Sequence, residues 1–437
     1  MPNYLGMRGT GDWNDTEILD EEWRKLMFYL EPNGDMPITG ITSMINSEVT
    51  PIKFVNWVTD YFSAAQGVIA GVFTDAALTT AYDTGTAAKG STLYLQMAEA
   101  LSEEFRAQTN ASITDEDTYL VNRNVEVTAT TQDGTDSYLT VKLLEADTYA
   151  DANSIGKGDW IKTIGSIEEE GADYPEAISY SPTPFKNVTG IIRTPLEITR
   201  TQYYSKNLRV NPQAYEYMKG KVLIDHGRDI EYKLLWSKYD DTSMGPKGKP
   251  KYSPMGLNEF IDSNVSANVF NFRVDTDYTA KTWLESGDAF LKKALETIFM
   301  YGNDVKFAVC GPTVIRGITD LAEVNGQYVL DWRTEDYGLR IATFHSPYGS
   351  IDLKVHPLFR FNTADKSKIM VIEPSNITPR PFTASDVVFY EDDRKHDKFS
   401  NGVDAVQEEY LSEITWEYHN PETFGIINGV GMDNVLT

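Results

Sequence analysis

Apolar residues recur at helical spacing in several stretches of the chain. Ile18, Leu19, Trp23, Leu26, Met27 and Leu30 predict a helix over residues 15–30, stopped by Pro32-Asn33-Gly34. A longer one begins at Asn211-Pro212, an N-cap residue followed by proline at the first helical position. It runs without a breaker to Trp236, with Tyr215, Met218, Val222, Ile230 and Leu234 on one stripe. Lys221–Asp225 and Asp229–Lys233 are spaced as flanking i,i+4 pairs. At 1.5 Å per residue this helix measures about 40 Å. Gly220 and Gly227 weaken it locally and admit close approach of another backbone. Residues 280–301 form an amphipathic helix with Leu284, Leu291, Leu295, Ile298 and Phe299 inward and Gly302 as its cap. A further helix starts at Gly311-Pro312 and runs through Leu321, and residues 97–106 suit one helical turn or two.

Period-two alternation marks the strands. Val125, Val127 and Ala129 alternate with polar residues, Asp133-Gly134 turns the chain, and Leu139, Val141 and Leu143 alternate in their turn. Trp160 to Ile164 is a strand framed by Gly156, Gly158 and Gly165, and residues 188–199 are a β-branched one. Residues 339–344 and 351–355 alternate as a hairpin, while 307–310 and 369–372 read as short buried strands. Ile414, Trp416 and Tyr418 alternate with Glu413, Thr415 and Glu417 in an amphipathic strand ended by Asn420-Pro421. Residues 1–52 hold too little core to stand alone and must lie on something else. Residues 53–185 are β-rich, with long hairpins and a small inserted β-module, and 251–385 predict a compact α/β domain with a mixed sheet. No fixed-period repeat interrupts this order.

Composition narrows the function. The 437 residues are 41% hydrophobic, which is globular composition rather than disorder. A net charge of −26 opposes a role in gripping nucleic acid. The single cysteine, Cys310, rules out intrachain disulfides and CxxC zinc pairs, and its apolar neighbours predict a buried, inert thiol. The segment from Met1 to Leu5 lacks the charged and apolar regions of a signal peptide, and no apolar run is long enough to span a bilayer. The Asn-X-Ser/Thr triplets at Asn110, Asn187 and Asn376 therefore carry no glycosylation signal.

Candidate chemistry fails on spacing. Gly245-Pro246-Lys247-Gly248-Lys249 departs from the phosphate-loop pattern and reads as an exposed basic loop. Neither a G-x-S-x-G elbow nor an H-E-x-x-H motif is present. His226, His345, His356, His396 and His419 are scattered, and His226 is expected on the helix surface or at a subunit contact. Glu168-Glu169-Glu170 would point to opposite faces of a strand, so a solvated turn is the better reading. Glu391-Asp392-Asp393 lacks the calcium-loop pattern and is followed by Arg394, Lys395 and Lys398, which oppose a cation. Trp13, Trp23 and Trp57 suit packing against a neighbouring chain better than sugar or base stacking. No catalytic, cofactor or metal site is assigned.

The order of segments resembles the major capsid proteins of tailed phages with the Hong Kong 97 fold, especially the subgroup with a β-module inserted in the extended loop. The likeness lies in Glu21-Glu22-Trp23 to Leu30-Glu31-Pro32, Met36-Pro37-Ile38, and Phe54-Val55-Asn56-Trp57, similar to that subgroup's arm and loop entry. It continues through Gly158-Asp159-Trp160-Ile161, Ile164-Gly165 and Glu169-Glu170-Gly171-Ala172, then Asn187-Val188-Thr189-Gly190-Ile191. His226-Gly227-Arg228-Asp229-Ile230-Glu231 is similar to the spine helix, and Ile414-Thr415-Trp416-Glu417 to Asn420-Pro421 to the closing strand.

This resemblance implies an α+β fold: arm at 1–52, extended loop with inserted β-module at 53–185, peripheral domain with spine helix at 186–250, axial domain at 251–385, and a return to the peripheral domain at 386–437. It implies a structural protein, not an enzyme. The subunit would assemble with itself into pentamers and hexamers of an icosahedral shell around double-stranded DNA. Portal, scaffold and decoration proteins would be partners, with no membrane and no sequence-specific DNA contact. Assembly would take place in the bacterial cytoplasm, the product being the virion capsid. The family's lysine–asparagine–glutamate cross-link has no assignable trio here, and an unprocessed arm is expected. The alternatives are an encapsulin-like cargo shell, a tail or baseplate protein, and a polysaccharide hydrolase.

Overall fold

The structure, a computed structural model, describes residues 47–60, 65–115, 120–151, 153–168, 170–171, 177–179, 181–204, 214–325, 330–336, 339–382, 388–390 and 405–436. The helix expected over 15–30, Trp13 and Trp23, the helix start at Asn211-Pro212, His396 and the acidic run at 391–393 lie outside the described residues. The chain divides into two compact units: Val58–Thr183, and the rest on either side of it.

β1 (Phe54–Thr59) alternates in burial, with Val55 and Trp57 inward. The unit that follows is all antiparallel β-sheet apart from short helical turns. Its strands are β2 (Gln66–Val68), β3 (Gly71–Phe73), β4 (Thr86–Ala87), β5 (Thr92–Gln96), β6 (Thr109–Thr114), β7 (Asn122–Thr131), β8 (Tyr138–Leu143), β9 (Asp147–Thr148) and β10 (Trp160–Ser166). Seven of them join in the order β2-β10-β6-β7-β8-β5-β3, β4 pairs with β9, and α1 (Glu99–Ser102) is one turn. The β7–β8 hairpin predicted from alternation is present, with Val127 opposite Val141. Gly134 takes the positive φ (56°) that its turn requires. Val125, Val127, Leu139, Val141 and Leu143 are buried. A register shift between Val127 and Ala129 reverses the phase, so Ala129 faces out instead of in. This sheet closes over a core of its own, with Ile69, Leu93, Leu95, Ile113 and Ile161 fully or almost fully buried. Each such side chain contributes about 1.5–3 kcal/mol relative to exposure.

The second unit resumes at β11 (Thr183–Val188), which pairs with β1, and β12 (Gly190–Thr199). The single strand expected over 188–199 is thus interrupted at Thr189, whose amide donates to Lys53 O (2.9 Å). After α2 (Arg200–Tyr204) comes α3 (Ala214–Trp236), about 35 Å long at 1.5 Å per residue. Then follow α4 (Leu257–Asn264), β13 (Val269–Asn271), α5 (Trp283–Ile298), β14 (Val305–Cys310), α6 (Pro312–Asn325), β15 (Leu330–Asp336), β16 (Leu339–Ser346) and β17 (Gly349–Val355). The chain ends with α7 (Thr363–Lys366), β18 (Ile369–Ile372), β19 (Ile377–Pro381), β20 (Val388–Tyr390), β21 (Ala405–Tyr418) and β22 (Gly425–Asn428).

Two sheets result. In the first, β21 is central: it runs antiparallel to β12 from Gly190↔Ile414 to Thr199↔Ala405, and to β19 and β20. In the second the order is β13-β22-β18-β14-β17-β16-β15. Its β14–β17 and β13–β22 pairs are parallel and the others antiparallel, so the sheet is mixed as expected, but β22 joins it from beyond the 251–385 stretch that was expected to supply it alone. Sheets and helices in these proportions make an α+β protein.

Several local expectations need correction. α5 opens with a capping box between Thr282 and Glu285. Trp283 takes the buried position, which leaves Leu284 49% exposed. The cap of α5 is Phe299, not Gly302. Along α3, Ile230 and Leu234 are buried as expected, but Tyr215, Met218 and Val222 are only half-buried. Neither expected i,i+4 pair forms: Asp225 pairs with Arg228 (3.6 Å), and Asp229 accepts from Thr194 Oγ1 (3.3 Å). The last turn of β21 is not amphipathic, because Thr415 and Glu417 are buried along with Trp416 and Tyr418. A strand paired on both sides and covered on both faces has no solvent side.

Candidate functional site

The buried polar groups come first, because a buried titratable cluster is where chemistry would be found. Cys310, at the end of β14, is fully buried, and burial pushes its thiol up to about 12. It carries almost no thiolate at neutral pH. His226 was expected on the helix surface or at a subunit contact, but it is fully buried within the chain. Its Nδ1 lies 2.8 Å from Thr194 Oγ1 on β12 and its Nε2 2.8 Å from Ser412 Oγ on β21. Burial lowers its pKa and the nearby Asp229 opposes this only partly. A neutral ring with both nitrogens engaged ties helix to sheet and has no free lone pair for a reaction.

A second tie was not foreseen. Glu231 of α3 and His356, just after β17, are both fully buried, with Nε2 and Oε1 2.8 Å apart. The other nitrogen of His356 accepts from Leu358 N (3.1 Å), and the ring stacks on Phe359 at 5.1 Å. One signal did exist. His226, Ile230, Glu231, Leu234 and Leu235 share the buried face of α3, so Glu231 sits at an apolar phase of the helix. Its partner could not be found from spacing, being 125 residues away.

Other polar residues serve the backbone or one another. Burial pushes the Glu417 carboxyl up, but hydrogen bonds from His419 and Arg380 outweigh it and hold the group below its usual range. Asn187 is buried. It donates to Trp416 O (2.8 Å) and accepts from Met255 N (2.8 Å), so its glycosylation-like triplet is a structural joint. Lys306 on β14 donates to Tyr301 O (2.7 Å) and Thr423 O (2.8 Å), and burial pushes it down to about 8. In the separate β-unit, buried Asp147 accepts from Arg123 Nε (3.2 Å) and Tyr82 OH (3.2 Å). His345 is exposed, as are Glu168 and Glu170. Among the described residues, no three His, Cys, Asp or Glu side chains converge as metal ligands, and no helix is long and apolar enough to cross a membrane.

The basic loop is ordered. Bridges Asp240↔Ser253 and Met244↔Pro250 make it a hairpin, closed at the tip by Gly245 N to Lys249 O (2.7 Å). The Asp240 carboxylate accepts from Ser243 Oγ and from the amides of Thr242 and Ser243. These bonds, led by that from the Ser243 side chain, bring it down to about 2. The amides at the tip close the hairpin on itself, so no phosphate cradle forms. Beneath the tip lies a cavity of about 400 Å3 bordered by Lys53, Ile191, Lys233, Lys247, Lys249 and Lys251, among others.

Among the described residues these polar groups act as ties between elements. The family model described as SU10 major capsid protein matches residues 10–431. The chain belongs to the SU10 major capsid protein family. It is therefore a structural protein of the phage capsid and not an enzyme. Within the same class of protein, the chain is 22% identical over 361 residues to the major capsid protein of Pseudomonas phage PaMx41, covering 82% of this chain and 78% of that one. Solved structures give looser likenesses. Gordonia phage Cozz matches at 12% identity and a TM-score of 0.38, over 60% of this chain and 77% of that one. The SrpI encapsulin complex of Synechococcus elongatus PCC 7942 matches at 12% and 0.36, over 59% and 78%. Scores this low do not separate one kind of shell from another, so membership of the SU10 major capsid protein family carries the assignment.

Proposed function

We propose that this capsid protein has the Hong Kong 97 type of fold and assembles into pentamers and hexamers that close an icosahedral shell around double-stranded DNA. The observation that carries this is the family match over residues 10–431. The architecture supports it. A sheet with its own core, Val58–Thr183, leaves the body between β1 and β11, as an extended loop bearing an inserted β-module would. On this assignment 1–52 is the arm, 53–185 the loop, 186–250 and 386–437 the peripheral domain around α3, and 251–385 the axial domain, with β19 lending a strand to the peripheral sheet and β22 one to the axial sheet. A closed shell sums many modest contacts per subunit, so no single one has to be strong. The net charge of −26 suits a wall that encloses DNA without trapping it. Portal, scaffold and decoration proteins complete the particle, which forms in the host cytoplasm.

Electron microscopy of the purified full chain, alone and with phage scaffold, tests the proposal. Closed shells with five- and six-fold clusters are expected. Rings only, or protein that stays monomeric under every condition, would overturn it.

A further inference from the structure

At the hairpin cavity the sign of the charge is opposite to that of the chain as a whole. On a chain with 65 acidic and 39 basic side chains, five lysines border one cavity of about 400 Å3, and its lining includes no acidic side chain. Like charges gathered this closely repel one another unless a counter-charge joins them. The carboxylates near the hairpin base are engaged elsewhere: Asp240 with its own turn, Asp241 with Tyr239 OH (2.8 Å) and Lys186 (3.8 Å). Lys53 lies over the Tyr252 ring at 3.8 Å. Lys233, Lys247, Lys249 and Lys251 have no salt-bridge partner among the described residues. The hairpin holds the last three in place through Lys251 N to Ser243 O (2.8 Å) and Gly248 N to Gly245 O (2.9 Å).

We infer that this lysine cup receives a carboxylate-bearing segment of a second copy of the chain. The inference rests on the shell reading and adds to it one surface and the chemistry of what fills it. Two features favour a peptide over DNA. The floor is apolar, with Ile191 55% exposed beside Pro246, Pro250 and Tyr252, which suits a segment carrying both acidic and apolar side chains. The five lysines also surround a single cup rather than forming a line, whereas duplex DNA, with a charge about every 1.7 Å, calls for an extended basic stripe. A second copy, from a chain of net charge −26, supplies carboxylates in excess.

The test uses the full chain and the triple variant Lys247→Gln/Lys249→Gln/Lys251→Gln. All three side chains are exposed, so circular dichroism of the unassembled variant should match wild type. Shell yield is measured by sedimentation and negative stain from about 0.1 M to about 1 M salt, over which the screening length falls from about 10 Å to about 3 Å. The variant should give at least about tenfold fewer shells at low salt, and the ratio of wild-type to variant yield should fall as salt rises, because salt screens the lysine–carboxylate attraction in wild type alone while relieving bulk repulsion in both. Carbodiimide coupling of mixed isotopically light and heavy subunits should join hairpin lysines of one copy to an Asp or Glu of another.

Equal shell yields at every salt concentration would overturn the inference, as would hairpin lysines coupled only within their own copy. So would a variant that assembles normally but retains less duplex DNA, which would assign the cup to phosphate. Wild-type protein that never assembles sinks the shell reading, and this inference with it. Wild-type shells beside unaffected variant shells sink this inference alone.

Discussion

Replacing Glu231 or His356 tests whether the buried pair between α3 and the end of β17 acts as one unit. His356 holds four neighbours at once. Its amide donates to Cys310 O (2.9 Å), its Nδ1 accepts from Leu358 N, its ring stacks on Phe359, and its Nε2 meets Glu231 Oε1 at 2.8 Å. Glu231→Leu keeps most of the volume but leaves a buried imidazole N–H without that acceptor. Leaving a buried hydrogen-bond donor without its acceptor costs about 1–3 kcal/mol. His356→Leu should cost about 1–3 kcal/mol more, because the Leu358 amide loses its acceptor and Phe359 its stacked ring. The double variant leaves neither partner stranded, so its loss should fall short of the sum by about 1–3 kcal/mol. Urea unfolding of the unassembled chain, followed by tryptophan fluorescence, measures all three; Trp236 reports locally, 5.4 Å from Phe359. Additive losses, or single losses below about 1 kcal/mol, would refute the coupling.

Three further outcomes follow from the same interior. Lys306 titrates at about 8 when folded against 10.5 ordinarily, so the unfolded chain holds more protons between these values and stability should rise with pH across that window. Relative to Lys306→Met, wild type should therefore gain about 3 kcal/mol between neutral pH and the top of the window; a difference independent of pH would contradict it. Gly311→Ala would bring a Cβ to 2.2 Å from Lys366 O and 2.4 Å from Asp365 O, both backbone atoms, and should cost about 3 kcal/mol by thermal melting. Unreactive Cys310 should titrate with a thiol reagent only after denaturation, and stoichiometric labelling of the native chain would disprove its burial.

The regular elements were legible wherever a residue's neighbours along the chain decide its environment. Strict alternation in 125–127 and 139–143 located a hairpin because the turn at Asp133-Gly134 brings its two halves together. Failure began one residue past Val127, where a bulge in the ladder reversed the phase, and no local pattern announces a bulge. Leu284 failed for a related reason. Trp283 and Leu284 are adjacent apolar residues at the start of α5, and only the Trp283 Nε1 bond to Gly317 O (3.0 Å) shows which of them turns inward. Glu417 and Thr415 looked like the wet face of a strand because amphipathic alternation cannot say how many sheets and helices will cover it.

Long-range polar ties and contact surfaces lie beyond such patterns for a physical reason. His226 reads as a surface residue on α3 because its neighbours Asp225 and Asp229 are polar, yet β12 and β21 supply two hydroxyls that satisfy it inside. Burial of a polar group depends on partners, and these stand 32 and 186 residues away. Contact surfaces are harder still, since period-two spacing places alternate side chains outward without saying what they will meet. Ile191 alternates out of β12 as any strand residue would, 55% exposed. Only the fold sets it beside Lys233 from α3 and the lysines of a hairpin that sequence alone reduces to a basic loop. For copies of net charge −26 to associate, repulsion over a screening length of about 8–10 Å has to be offset by local complementarity. The informative surface is therefore the one whose charge opposes the bulk composition, and it emerges only when residues 53, 233 and 247–251 are brought together in space.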